Sequence, residues 1–197
     1  MQTRPHIEKQ APRVGVSEML VAVAAASMLF FAEVLRGGDT PAASEAQIKA
    51  VFLFNFAKYV EWPAAAFPNA TAPIAIGVLG RDPFGDYLQH VEGKMLQGHP
   101  FVIKHLAPDS DVSGCQILFI SHSEASRMRE ILEKTSALPI LTVGEDEPFA
   151  QNGGIIRFVL KNGNVRLAID LNAAQKAGLT ISSKLLAVAD VVKGKTN

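Results

Sequence analysis

The stretch Ala50–Pro63, AVFLFNFAKYVEWP, restricts the fold more than any other part of the chain. It places Phe52, Phe54, Phe56, Tyr59 and Trp62 within eleven residues, in a chain with 11 Phe, 2 Tyr and 1 Trp. Ser44 and Gln47 precede it at the spacing of a capping box, and Pro63 closes it, so a helix is expected from Ser44 to about Glu61–Trp62. On that helix Ile48, Val51, Phe52, Asn55, Tyr59 and Trp62 share one face, and Leu53, Phe56 and Val60 share another. Lys49, Lys58 and Glu61 form a narrow polar edge. Such a helix is too short to span a bilayer. It is also apolar over a wider arc than a helix with one face on water. It therefore needs a sheet on one side and a second element, or a second subunit, on the other. Phe54, Tyr59 and Trp62 are the candidate dimer contacts.

Ahead of this helix the sequence reads as an export signal. Met19–Ala32 is free of charge, Arg4, Lys9 and Arg13 precede it, and a small-residue stretch follows to Ser44. That is the order of an n-region, an h-region and a cleavage zone. Cleavage is expected near Ala42–Ser44, which makes residues 1–43 a leader and 44–197 the mature domain. A retained membrane anchor is the rival reading, with an apolar run short of the usual length. Arg4, Lys9, Arg13 and Arg36 are balanced by Glu8, Glu18, Glu33 and Asp39, so the domain is neutral with or without the leader. No basic cluster appears, which argues against nucleic acid as a partner. A single cysteine, Cys115, excludes an internal disulfide. It reads either as a small buried apolar residue or as an intermolecular redox contact.

After Pro63 the pattern alternates. Apolar strands are expected at Ile74–Leu79, Phe101–Leu106, Ile117–Ile120 and Ile140–Val143. Helices are expected from Asp82 to about Val91 and over Ser123–Ser136. Ile155–Leu160 and Val165–Ile169 flank Asn162-Gly163 as a hairpin. Asp170–Ala177 reads as a short helix stopped by Gly178, and Ser182–Val192 as a closing amphipathic helix. Together these predict an α/β fold. It is a three-layer sandwich with a mostly parallel sheet and a C-terminal antiparallel hairpin.

Motifs for chemistry fail one after another. Gly80–Gly85 has the glycine spacing of a phosphate loop, but Asp86-Tyr87 stands where Lys and a hydroxyl are required. Glu145-Asp146-Glu147 falls after the fourth strand with no converging acids, and reads as a solvated loop rather than a magnesium pocket. His90, His99, His105 and His122 have no ligand spacing, so no metal is expected. Ser121-His122-Ser123 lacks a nucleophile elbow. No catalytic residue and no cofactor are expected.

The order of blocks carries a resemblance. Asn55–Pro63 resembles the opening helix of the YfiR family of exported regulators. Ile76–Gly80 with Asp82–Gly85, then Cys115–Ser121, Leu141–Val143, Gly153–Phe158, Val165–Asn172 and Gly178–Leu186 follow in register. The likeness covers about Ser44–Ala189. It implies a non-enzymatic periplasmic regulator that binds and represses a membrane signalling protein, a diguanylate cyclase or else a histidine kinase, and so touches cyclic di-GMP signalling and biofilm. Within the matching blocks, Phe158, Arg166, Ile169 and Asn172 are the candidate partner contacts. The other reading of Phe158 and Ile169 is that they fill the faces of the sheet. A periplasmic small-ligand binding protein, using the crevice near Gly80–Phe84 and Ser121–Ser123, is the alternative function.

Overall fold

The computed structural model describes residues 44–192; the expected leader lies outside them. Its first element, α1, spans Glu45–Tyr59. Ser44 Oγ accepts from the Gln47 amide at 3.2 Å, as a cap should. Glu45 in the first turn and Lys58 in the last complement the helix dipole. The helix ends two to three residues sooner than Pro63 suggests. Val60–Glu61 (β1) instead extends and pairs antiparallel with Thr180–Ile181 (β9). Trp62 Nε1 donates to the Gln116 carbonyl at 3.1 Å.

The main sheet has eight strands. They are β2 (Ile74–Leu79), β3 (Met95–Leu96), β4 (His99–Leu106), β5 (Ile117–Ile120), β6 (Leu141–Gly144), β7 (Ile156–Lys161), β8 (Asn164–Asp170) and β10 (Ala189–Val192). Their spatial order is β10-β8-β7-β6-β5-β2-β4-β3. The run β7-β6-β5-β2-β4 is parallel throughout. Strands β2, β5 and β6 are buried on both faces, which is why they read as unbroken apolar runs. The β7–β8 pair is antiparallel, with Phe158 opposite Leu167 and Ile156 opposite Ile169. Asn162 and Gly163 turn it with φ of 53° and 73°, the left-handed pair that a tight hairpin requires.

Helices cover both faces. On one, α1 packs with α2 (Asp86–Gln89) and α6 (Ser183–Leu186) over a core of Leu53, Phe56, Ile76, Phe101, Phe119 and Phe158. On the other, α3 (Met128–Thr135) and α4 (Glu147–Gln151) enclose Leu118, Ile120, Met128, Leu132, Ile140 and Phe149. The short α5 (Leu171–Lys176) follows β8, capped by Asp170.

Three expectations change. The Ser182–Val192 helix resolves into the single turn α6 and the edge strand β10, parallel to β8. Val188, Val191 and Val192 are β-branched, and an open sheet edge favours that choice over helix. The second helix is only Asp86–Gln89: Asp82 Oδ1 accepts from the Phe84 amide at 2.6 Å, but Gly85, at φ 54°, breaks the helical path before Asp86. The Ser123–Ser136 helix opens as a 3-10 turn over His122–Arg127, capped by Ser121.

Candidate partner-binding surface

The hairpin residues divide by strand alternation and by distance from the turn. Phe158 is 3% exposed; its ring centroid stands 6.0 Å from that of Phe52 and 6.1 Å from that of Phe56. Ile169 is fully buried opposite Ile156. Both fill the sheet face under α1 and present nothing to a partner. Arg166 and Asn172 are exposed, but not together: Arg166 lies in the outer half of β8, and Asn172 at the start of α5.

The outer half of the hairpin behaves differently from its root. Residues 160–164 and Arg166 are exposed, whereas Leu167–Asp170 are buried. Leu160, at 55% exposed, lies on the same strand face as Phe158, two residues nearer the turn. Lys161 and Arg166 have no carboxylate within ion-pair distance among the described residues. With Asp190 they border a polar hollow of about 370 Å³ between β8 and β10. Val188, just before β10, and Val191 and Val192 within it are also exposed; the last two register with Ile169 and Asp170 at the root of the hairpin. Nothing in the local sequence around Leu160 separates it from a core leucine; its nearness to Asn162-Gly163 is the only signal of its exposure.

The candidate dimer contacts are engaged within the chain. Phe54 tilts against Phe101 with centroids 4.9 Å apart, under the ammonium of Lys58 at 4.7 Å. Tyr59 and Trp62 pack on the same core. The outer face of α1 belongs instead to Gln47, Ile48, Val51, Phe52 and Asn55, which line a shallow apolar hollow of about 240 Å³. Cys115 is buried, and that burial pushes its thiol pKa up, which disfavours the thiolate that a redox contact needs.

Lys49, expected on a polar edge, is only 6% exposed. Its ammonium pairs with Glu145 and Glu45, and sits 5.8 Å from the centroid of the Phe158 ring. Burial works against the charge, but the hydrogen bonds to Glu145 and Glu45 outweigh it and hold the Lys49 pKa above its ordinary value. The rest of the acidic run is also engaged. His122 Nδ1 lies 2.8 Å from Asp146 Oδ1, and Arg157 pairs with Glu147. A loop that reads as solvated thus ties α1, the β5 end and β7 together. The reason is tertiary: the partners lie on other elements, 96, 24 and 10 residues away.

At the C-terminal ends of β2 and β5, where a ligand crevice is expected, the chain fills its own space. Ser123 Oγ accepts from the Arg81 amide at 2.9 Å, and Ser123 and Glu124 press on the backbone of Gly80. A different cleft, of about 310 Å³, opens where the ends of α3 and β8 meet the starts of β6 and β7. Among the described residues no three His, Cys, Asp or Glu side chains gather as a metal set, and no helix is long and apolar enough to cross a membrane.

These features belong to a recognisable sequence family. A family model described as YfiR/HmsC-like matches residues 46–190, from the second residue of α1 into β10. The match takes in the aromatic helix, the parallel core and the antiparallel hairpin in one span, and the chain belongs to the YfiR/HmsC-like family.

Proposed function

We propose that this protein is an exported, non-enzymatic regulator that holds a membrane signalling enzyme in its inactive state, with the outer half of the β7–β8 hairpin as its contact. A diguanylate cyclase is the leading partner and a histidine kinase the second. Family membership supports the regulatory role. The observation that carries the contact site is a hairpin tip exposed on both faces. Leu160 lies on the face of Phe158 and two cations, Lys161 and Arg166, on the other, with no acid paired to them among the described residues. A partner that grips both faces of the tip would set an apolar pocket against Leu160 and acidic groups against the two cations. Asn172 stands apart from this patch and is not needed for it. Repression then follows from tighter binding to the inactive state of the enzyme; a preference of about 3 kcal/mol shifts the equilibrium more than a hundredfold.

Crosslinking in membranes followed by capture tests the reading. The wild-type chain should recover a cyclase or a histidine kinase, and the Leu160→Ser/Arg166→Ala variant should recover far less at unchanged melting temperature. Equal recovery by the two proteins would remove the hairpin from the interface. Capture of neither enzyme class would remove the proposed partner.

A further inference from the structure

The cleft at the α3–β6–α5 junction contains a largely buried carboxylate with one oxygen engaged and the other without a protein partner among the described residues. Asp170 is only 6% exposed, and the surface it keeps lines this cleft. Its Oδ1 accepts from the amides of Asn172 and Ala173 at 2.9 and 3.1 Å, capping α5. Its Oδ2 takes no hydrogen bond or ion pair among the described residues, and it is not among the polar atoms sealed from solvent. Thr142, equally buried, lines the same cleft; its hydroxyl oxygen accepts from the Ile155 amide at 3.1 Å, which leaves its proton to donate. The rest of the inner wall is Leu132, Ile140, Ile155 and Ala173, with Thr135, whose hydroxyl donates to the Ile131 carbonyl.

A carboxylate oxygen open to such a cleft can exchange water for a charged donor, and a charge-assisted hydrogen bond there is stronger than a neutral one. The contrast with Lys49 is direct, since that buried charge is met by two carboxylates. We infer that this cleft binds a small organic amine, its ammonium on Asp170 Oδ2 and its carbon frame against Leu132, Ile140 and Ile155. The volume lies at the small end of ligand sites. Asp170, the buried charge on the lining, disfavours an anion, whereas Glu133 is exposed and screened by water. A single interior carboxylate is too few for a calcium or magnesium site. Lys176, also on the lining, is exposed and screened by water. The site shares no residue with the hairpin surface and does not depend on the regulatory reading.

Benzylamine, benzyl alcohol and benzoate, matched in size, are the probes, and amide NMR of the purified protein is the readout. Benzylamine should give saturable shifts at Ile155, Asn172 and Ala173, with benzyl alcohol and benzoate weaker by at least about tenfold. Asp170→Asn keeps the cap, because Asn serves α5 as well as Asp does. It removes the charge, so benzylamine should bind about tenfold more weakly while the melting temperature holds. Equal binding of the alcohol, undiminished binding in Asp170→Asn, shifts that map elsewhere, or no saturation by about 10 mM would each overturn the assignment. The wild-type comparison of amine with alcohol decides the matter even if the variant folds poorly.

Discussion

At its root the β7–β8 hairpin carries Ile156, Phe158, Leu167 and Ile169, all buried under α1; toward its turn it carries Leu160, Lys161, Asn164 and Arg166, all exposed. On the face of Phe158 both ends are apolar, with Leu160 and Val165 toward the turn and Phe158 and Leu167 at the root, and what separates them there is cover. The root has an aromatic helix pressed on it, held by the Lys49–Glu145 pair. The tip lacks such cover, with residues 160–164 and Arg166 exposed. Mutations at the root should therefore act through stability, and mutations at the tip through recognition.

The sharpest way to break this contrast is Phe158→Ala. It removes a ring that packs on Phe52 and Phe56, and should cost about 3–5 kcal/mol in chemical denaturation. A loss below about 1 kcal/mol would return Phe158 to the list of surface contacts. Lys49→Met comes next. It leaves Glu145 without its buried partner and should cost about 1–3 kcal/mol.

The same pair gives a pH signature. The folded-state pKa of Lys49 lies above its unfolded value, so its contribution is complete below the ordinary lysine range near about 10.4 and fades as pH rises through the raised value. Wild type should therefore lose stability on that alkaline limb, and Lys49→Met should lack that part of the decline. Parallel alkaline curves would sink the assignment.

At the tip, Leu160→Ser and Arg166→Ala should each change stability by no more than about 0.5 kcal/mol, while partner capture falls. Cys115 gives the smallest effect. Maleimide labelling in the native protein should be slower than in the unfolded chain by at least about tenfold, because burial both shields the thiol and raises its pKa. Equal rates would reopen the redox contact.

Much of the root was legible from residues alone. The parallel strands announced themselves as apolar runs, Ser44 and Gln47 marked the start of α1, and Asn162-Gly163 set the hairpin register. What was hidden depended on partners distant in sequence. Val60–Glu61 became a strand because Thr180–Ile181 lies beside it, and Ala189–Val192 because β8 offers a free edge. Lys49 looked like a solvated edge until Glu145 was placed against it. The Asp170 cleft is assembled from α3, β6, β7 and α5, so no local pattern marks it. Leu160 and Phe158 sit two residues apart on one strand face, but the rings of Phe52 and Phe56 pack on Phe158, while Leu160 is left exposed.

The central claim is that the hairpin tip meets a membrane signalling enzyme, and a photo-crosslinking residue in place of Leu160 tests it most directly. Irradiated in cells, it should yield an adduct whose second component is a membrane cyclase or kinase, and the same residue in place of exposed Glu133, on α3, should yield none. Adducts of that enzyme from position 133 but not from 160, or adducts from 160 only with a second copy of this chain, would contradict the account.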